Sequence, residues 1–314
     1  MNLKLALFIL SVTFLFSPNT SNAQDSNPLI GKWDIEIAKD GTQLPSWLEI
    51  KKSGYKTLVG RFVYAFGSAR PVAHIKQKNG KFNFKIPAQW ESNEGDHYMN
   101  FEGRQSGEKL TGTMVYIDGK KYNWVATRAP KLKHTKTPIW GAPVALFNGK
   151  NLDGWHASGK NQWTVENGIL TSKQSGSNII SDQTFTDFKI HVEFRYPKNG
   201  NSGIYLRGRY EVQVADNKGD DPSDIKFGGV YGFLTPNENA AKSAGEWQAY
   251  DITLIGRRVT VVANGITVIS DQIIPGITGG ALDSKEGLPG PFMLQGDHDP
   301  IEYRNIVVTP IMKN

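Results

Sequence analysis

The chain has 314 residues, a formal net charge of +6 and no cysteine, so disulfides, thiolate metal sites and a cysteine nucleophile are excluded. Its length predicts two domains. The charge is divided unevenly, because residues 24–137 hold 19 Lys and Arg against 11 Asp and Glu, whereas residues 138–314 hold 16 against 19. The lysines of the basic part are scattered over strand and turn positions, which favours a solvated surface that protects strand edges over one that binds nucleic acid.

Residues 1–23 have the pattern of a secretory signal peptide. Lys4 precedes an apolar run over residues 5–16, and the Ser-Asn-Ala sequence of residues 21–23 provides small side chains for cleavage. The run of 12 residues is too short to span a bilayer. We therefore expect an exported protein, periplasmic or secreted, without a membrane span.

Residues 24–130 are predicted to form a lipocalin-like β domain. Eight short segments alternate apolar and polar residues, with turn signals between them, which predicts an eight-stranded barrel. The opening Gly31-Lys32-Trp33 resembles the G-x-W start of lipocalin-like barrels. Either the barrel holds a ligand cavity or aromatic side chains fill it, and the little space inside eight strands favours the second. The aromatic residues in question are Trp33, Trp47, Phe62, Phe82, Phe84 and Trp124.

A second β domain is predicted to follow a linker. Residues 131–143 are rich in Pro and Lys and lack alternation, which is typical of a linker. Residues 144–314 contain many glycines and alternating segments, and Asn264-Gly265 between two such segments predicts a hairpin. The pattern indicates a two-sheet sandwich or jelly roll. The predicted fold class is therefore all-β, a barrel followed by a jelly roll.

Six phrases of the second domain, in their order and spacing, resemble the 3-keto-disaccharide hydrolase family. They are LFNGKNLDGW (146–155), WTVENGIL (163–170), NSGIYLRG (201–208), YEVQVAD (210–216), GEWQAYDI (245–252) and LQGDHDPIEYRNI (294–306). The resemblance implies a concanavalin-like jelly roll over residues 144–310. It also implies cleavage of glycosides that are oxidised to a ketone at sugar carbon 3, either by hydrolysis or by elimination followed by hydration.

Strand alternation gives a candidate site without reference to the family. On strands 188–196, 203–208 and 210–215, one face is apolar and the other polar. Because the connections are short, we expect the three strands to be neighbours whose polar faces form one patch. The alternative is a solvated sheet face with ordinary cross-strand ion pairs. The polar residues at issue are Glu193, Tyr205, Arg207, Glu211 and Gln213.

The implied chemistry suggests a role for each residue. A ketone at C3 acidifies the hydrogen on C2, so cleavage needs a base at C2, a group that holds the enolate and an acid for the leaving oxygen at C1. We assign Glu211 as base or acid, His298 as the second proton carrier and Arg207 as a clamp for the enolate or a hydroxyl. The expected substrate-binding residues are Glu193, Tyr205, Gln213, Tyr231, Trp247 and Gln295. For the aromatic residues core packing is the alternative, and for His298 it is a solvent-facing loop position.

No cofactor is required by the sequence, and a divalent metal ion is left open. His298 with Glu211 could hold an ion that polarises the ketone. A second acidic cluster does not have the spacing of an EF-hand and is more typical of a solvated loop. That cluster comprises Asp216, Asp220, Asp221 and Asp224.

Three functions are compatible with the sequence. The favoured one is cleavage of 3-keto-disaccharides or 3-keto-glucosides, with an oxidoreductase that makes the keto sugar as functional partner. The alternatives are carbohydrate binding without turnover, because jelly rolls also host lectins, and a structural subunit whose basic domain docks on another protein.

Overall fold

The computed structural model describes residues 27–87, 89, 98–133 and 137–312. The predicted signal peptide lies outside the described residues. Every regular element in these ranges is a β-strand, which confirms the all-β prediction. Over the same ranges, no helix is long and apolar enough to cross a membrane.

The first eight strands close into an antiparallel barrel. Each strand pairs with the next, and β1 closes the ring by pairing with β8. Period-two alternation produces this shape, as in β5, where Phe82, Phe84 and Ile86 are buried between exposed polar residues. The strands are β1 (Gly31–Lys39), β2 (Thr42–Ser53), β3 (Thr57–Val63), β4 (Arg70–Lys78), β5 (Lys81–Pro87), β6 (Tyr98–Ser106), β7 (Lys109–Val115) and β8 (Lys121–Arg128).

Aromatic side chains fill the barrel, as the lack of space predicts. The rings of Phe84 and Phe101 stack with 4.7 Å between their centroids. Five of the six predicted aromatic residues belong to this core, namely Trp33, Phe62, Phe82, Phe84 and Trp124. These side chains pack the interior of the barrel.

The remaining strands form two sheets around one hydrophobic core. One sheet has the order β10-β13-β20-β15-β16, and the other has the order β11-β12-β21-β14-β17-β18-β19, with β9 paired to β21. The strands are β9 (Val144–Ala145), β10 (Trp155–Ala157), β11 (Trp163–Glu166), β12 (Ile169–Ser172), β13 (Ile179–Phe185), β14 (Phe188–Arg195), β15 (Asn201–Leu206), β16 (Tyr210–Ala215), β17 (Gln248–Ile255), β18 (Arg258–Ala263), β19 (Ile266–Ile273), β20 (Gly290–Leu294) and β21 (Ile301–Pro310). This arrangement is a jelly-roll sandwich.

The predicted neighbour relation between strand 188–196 and strand 203–208 is wrong. β14 pairs with β17 and β21, whereas β15 pairs with β16 and β20 in the other sheet. The segment between Arg195 and Asn201 crosses from one sheet to the other, and it turns at Asn199, which has a φ of +61°. A short connection in a sandwich can therefore join two sheets that share a core rather than two adjacent strands.

The barrel packs directly on the sandwich. Trp47 of β2 belongs to the sandwich core, and its ring centroid lies 5.4 Å from that of Phe233. The prediction that Trp47 fills the barrel is wrong, because its neighbour Leu48 points into the barrel and alternation turns Trp47 outward. Gly276 leaves room for the Trp47 side chain on the sandwich, since a Cβ at this position would stand 2.2 Å from the indole nitrogen.

Charged groups are also buried where the two domains meet. The carboxylate of Glu286, in the sandwich, accepts hydrogen bonds from Arg257 and, at 3.1 Å, from the Tyr210 hydroxyl. Asp34 of β1 lies beside it, and burial together with the negative charge of Glu286 raises the pKa of Asp34. Because removing one partner of a buried charge network is costly, this network ties the barrel to the sandwich.

Candidate active site

A pocket of about 320 Å³ opens on the face of the five-stranded sheet that points away from the sandwich core. It lies over β15, β16 and the end of β20, where Ile204, Val212 and Leu294 point to the core and their neighbours point outward. The residues around the pocket are Phe66, Gly67, Asn178, Asn201, Tyr205, Glu211, Gln213, Tyr231, Gly279, Gly280, Gln295, Asp297 and His298.

Glu211 lies at the base of this pocket. Only 4% of the residue is exposed, and burial raises the pKa of its carboxyl to about 8. Gly203 of β15, which pairs with Gln213 and lies diagonal to Glu211, provides the space, because a Cβ at that position would lie 2.4 Å from Glu211 Oε1. A carboxyl with this pKa is largely protonated at neutral pH, so it can serve as a general acid.

Tyr205 shows how the protonated carboxyl is held. Its hydroxyl lies 2.9 Å from Glu211 Oε2 and 3.0 Å from the carbonyl oxygen of Gly279. A tyrosine has one proton to donate, so it cannot satisfy a carboxylate and the carbonyl at once. The hydroxyl proton is therefore divided between Glu211 Oε2 and the Gly279 carbonyl, and the bond to Glu211 lowers the carboxyl pKa by less than burial raises it. Oε1, the carboxyl oxygen that Tyr205 does not contact, can then carry the proton of the neutral acid.

His298 forms a pair with Asp297 at the edge of the same pocket. Nδ1 of His298 lies 2.8 Å from Asp297 Oδ1, and this hydrogen bond raises the pKa of the imidazole. The negative charge of Asp297 raises it as well. A carboxylate on Nδ1 fixes the tautomer and leaves Nε2 to exchange a proton with a ligand. The arrangement provides a half-buried proton acceptor beside a buried acid.

Amide side chains complete the polar lining. Asn201 Oδ1 and Gln295 Oε1 are buried and have no hydrogen-bond partner among the described residues. Such groups are costly unless a ligand or water satisfies them, and an amide oxygen accepts readily from a sugar hydroxyl. Asn178 uses its Oδ1 on the Gly296 amide, at 2.8 Å, so its amide nitrogen is the part that can serve a ligand. Gln213 differs, because both its polar ends bond to backbone.

Six of the predicted site residues meet in this pocket and three lie elsewhere. The six are Tyr205, Glu211, Gln213, Tyr231, Gln295 and His298. Tyr231 is tied to Glu211 through the backbone, since its amide donates to the Glu211 carbonyl at 3.0 Å. The three residues that the structure places away from the pocket are Glu193, Arg207 and Trp247.

Arg207 lies in the turn between β15 and β16, and its side chain points to the domain interface. Its φ is +53° and that of Gly208 is +66°, so the alternation of β15 stops before Arg207 is reached. The buried guanidinium donates to the Gly256 carbonyl at 2.7 Å and to the Tyr210 hydroxyl at 3.1 Å. The expectation that Arg207 shares a face with Tyr205 is wrong for this reason, and a direct contact with substrate in the pocket is not supported.

We expect Arg207→Met to lower stability rather than catalysis. The Gly256 carbonyl would lose its donor in a buried place, which costs about 1–3 kcal/mol of unfolding free energy. Chemical denaturation of the variant measures this. Arg258→Met is the control, because Arg258 forms an exposed ion pair with Asp271, and such pairs contribute less than about 1 kcal/mol. A normally stable Arg207→Met protein with a lost catalytic rate would contradict this assignment.

Glu193 lies on the eight-stranded sheet, and Trp247 directly precedes its strand β17. Glu193 accepts hydrogen bonds from Arg304 at 2.6 Å and Asn305 at 2.7 Å. The Trp247 ring has the guanidinium groups of Arg195 and Arg304 at 4.8 and 3.8 Å from its centroid. The contacts of Glu193 are the ordinary ion pairs that were the alternative interpretation of the polar patch, whereas Trp247 takes part in cation–π contacts.

The family to which the second domain belongs follows from comparison with known proteins. A family model described as a 3-keto-alpha-glucoside-1,2-lyase-like domain matches residues 142–309, more than half of the chain. The chain belongs to this family. The resemblance that the six phrases indicated is thereby confirmed.

The chain is similar to several known proteins. A curated 3-keto-disaccharide hydrolase from Bacteroides thetaiotaomicron is 31% identical over 91 residues, covering 25% of this chain and 31% of that protein. The chain thus spans about a third of the length of this relative. A solved structure from Parabacteroides distasonis, described as a glycosyl hydrolase, is 30% identical, covers 56% of this chain and 92% of its own, and has a TM-score of 0.48. A β-glucanase of Bacillus licheniformis is 13% identical, with coverages of 58% and 100% and a TM-score of 0.35.

Several pocket residues of this family member were not predicted. Asn201 begins β15 and shares a face with Tyr205 by alternation, so strand parity could have found it. Asp297 adjoins His298 in sequence, and a carboxylate next to a candidate proton carrier is a signal of the same kind. Phe66 and Gly67 come from the barrel, and no local pattern connects them to a pocket in the other domain.

Two carboxylates of the acidic cluster, those of Asp216 and Asp220, already have partners within the protein. Asp220 pairs with Lys226 at 3.0 Å, and Asp216 accepts from the Asn199 amide at 2.9 Å. Among the residues that the structure describes, no group of three or more His, Asp or Glu side chains is placed to hold a metal ion.

Proposed function

We propose that this protein cleaves 3-keto-glucosides, such as 3-keto-disaccharides, by elimination of the aglycone and addition of water. The observation that carries the proposal is one pocket that holds a buried carboxylic acid, Glu211, together with the His298–Asp297 pair. Two titratable groups with different environments in one pocket are the usual sign of an acid and a base. Membership of the family makes a sugar that is oxidised at C3 the natural substrate class.

The surroundings of His298 and Glu211 suggest which group acts as the base and which as the acid. His298, whose Nδ1 is held by Asp297, removes the proton from C2 through Nε2, and the electron pair forms an enolate with the C3 ketone. Glu211, protonated because it is buried, gives its proton to the oxygen that leaves C1. Glu211 then takes a proton from the water that adds to C1, and the imidazolium returns a proton to C2. The net result is a 3-keto sugar and a free alcohol, and both groups regain their starting protonation states.

The amide groups of the pocket suit the neutral and anionic oxygens of this route. Asn178 offers an amide nitrogen that can donate to the enolate oxygen. The unpartnered oxygens of Asn201 and Gln295 can accept from the sugar hydroxyls. No buried cation is needed for this step, which fits the position of Arg207 outside the pocket.

Carbohydrate binding without turnover is the alternative function. A lectin-like site needs amides and aromatic rings, and the pocket has both. It does not need a buried acid whose pKa is raised to about 8, nor a histidine that is tuned by a carboxylate. These two features favour catalysis over binding alone.

We also propose the setting in which the reaction takes place. The signal-peptide pattern of residues 1–23 suggests export to the periplasm or beyond. An ordinary glucoside carries a hydroxyl at C3, so an oxidoreductase must first convert it to the ketone. Such an enzyme would be a functional partner through its product and need not bind this protein.

The direct test compares two substrates that differ only at C3. Purified protein is incubated with a 3-keto-disaccharide and, separately, with the same disaccharide carrying a C3 hydroxyl, and the released sugar is measured. We expect release from the keto sugar alone, because only the ketone acidifies the C2 hydrogen. Equal cleavage of both sugars would reject the elimination route and favour hydrolysis by carboxylates.

A further inference from the structure

The barrel contributes an aromatic side chain to the pocket of the other domain. The loop of residues 64–69 joins β3 to β4, and Phe66 and Gly67 of this loop line the pocket with Glu211 and His298. Tyr64 and Ala65, just before them, are buried, whereas Phe66 is 58% exposed. Phe66 thus places an exposed apolar ring at a pocket that also holds polar groups, the combination found in ligand sites.

Close backbone contacts fix this loop on the sandwich. The Gly280 amide donates to the Ala65 carbonyl at 2.7 Å. A Cβ on Gly279 would stand 2.2 Å from the Gly67 carbonyl oxygen, and one on Gly232 would stand 2.6 Å from the Ala69 amide. Backbone therefore touches backbone at three positions, and glycine is what allows the approach. The position of the loop does not depend on flexible side chains.

The same glycines support the catalytic groups. The Gly279 carbonyl is an acceptor for the Tyr205 hydroxyl, which contacts Glu211. Gly280 has no room for a side chain, since a Cβ there would lie 2.4 Å from the Tyr205 hydroxyl. The loop that carries Phe66 and the group that holds Glu211 are therefore built on the same short segment, which sets the distance between the ring and the acid.

We propose that Phe66 is a specificity-determining residue that packs against a ring face of the substrate, so that the barrel completes the active site. The inference rests on the proposed function. The other side chains around the pocket offer carboxyl, amide, imidazole and phenol groups for hydroxyls, but a pyranose also has C–H groups on its ring faces. Phe66 provides the apolar surface that these need, and a rigid aromatic contact costs little conformational entropy.

The test measures KM and kcat of the full-length protein on a 3-keto-disaccharide. Phe66→Ala should raise KM about tenfold, the size of one lost aromatic contact, and leave kcat nearly unchanged, because the contact is equal in ground and transition states. Phe66→Tyr should restore KM, since it restores the ring. Tyr55→Ala is the control, as Tyr55 is an 84% exposed aromatic residue of the barrel that does not line the pocket.

This experiment distinguishes failure of the role proposed for Phe66 from failure of the proposed function. If the wild-type protein cleaves the keto sugar and Phe66→Ala has an unchanged KM, the role of Phe66 is rejected and the proposed function stands. If the wild-type protein does not cleave it, the proposed function fails, and the inference falls with it. A loss of kcat in Phe66→Ala with unchanged KM would also overturn the inference, because it would indicate a disturbed Glu211 rather than a lost contact.

Discussion

Glu211→Gln should lower turnover of a 3-keto-disaccharide by roughly two to four powers of ten, the usual contribution of a positioned acid or base. The amide has nearly the same shape as the protonated carboxyl and can keep a hydrogen bond to Tyr205, so KM should change much less. The N–H groups of the amide are too weakly acidic to protonate the leaving oxygen. Steady-state kinetics on the purified variant measure both quantities.

The control for this substitution is Glu193→Gln. Glu193 is also a glutamate at a strand centre, but it lies on the other sheet and pairs with Arg304. We expect turnover within about twofold of wild type, as for a surface ion pair with little net energy. Equal losses in the two variants would mean that stability, not chemistry, is being measured. Wild-type turnover in Glu211→Gln would remove Glu211 from the mechanism.

The pH dependence of the wild-type rate and stability tests the pKa and the role of Glu211 independently. Its pKa of about 8 makes it an acid below that pH, so kcat/KM should fall as pH rises through about 8. Stability should fall as pH rises from 4.5 to about 8, because over this range the carboxyl of the unfolded chain loses its proton while the buried carboxyl keeps it. The Gln variant should lack this loss of stability. A rate that rises through pH 8 would indicate that Glu211 acts as the base.

His298→Gln should be nearly as damaging, with a loss of roughly two to four powers of ten in kcat. Glutamine keeps a polar group at the pocket edge but cannot accept the C2 proton. The acid limb of the pH profile, which we attribute to the raised pKa of His298, should disappear with it. Both effects are read from the same pH-dependent kinetics.

The chain offers a matched control for this histidine. His191 also lies 2.8 Å from an aspartate, Asp251, through Nδ1, but it is on the eight-stranded sheet, away from the pocket. His191→Gln should leave the rate and the pH profile unchanged. Similar losses for both histidines would show that an Asp–His pair matters for folding rather than for proton transfer at C2.

Alternation of residues within a strand predicted correctly which side chains face the pocket. It failed where a strand ends or where the chain crosses to the other sheet. Tyr205, Glu211 and Gln213 lie within β15 and β16, and parity placed all three on the pocket face. Arg207 was assigned by extending that parity into a turn with left-handed φ values. Glu193 was assigned by assuming that consecutive strands pair, which a sandwich need not obey.

The part played by the barrel could not be predicted from the sequence. No periodic pattern of residues surrounds Phe66. Its position at the pocket depends on contacts of its loop with Gly279 and Gly280, more than 200 residues further along the chain. Trp47 shows the same dependence, since only the sandwich explains why it points out of the barrel. Contacts between domains are set by surface shape, for which a single sequence has no local signal.

The measurement that tests the central claim most directly is cleavage of the 3-keto-disaccharide in heavy water. Because the His298 side chain is 45% exposed, its imidazolium should exchange the C2 hydrogen for solvent deuterium before it returns a proton to C2. One deuterium should therefore appear at C2 of the released 3-keto sugar, with the rate of incorporation equal to the rate of cleavage. Incubation of product with His298→Gln protein, which lacks the base, and with no protein corrects for spontaneous exchange next to the ketone. Released sugar that retains hydrogen at C2 would contradict the elimination route and the role of His298 as its base.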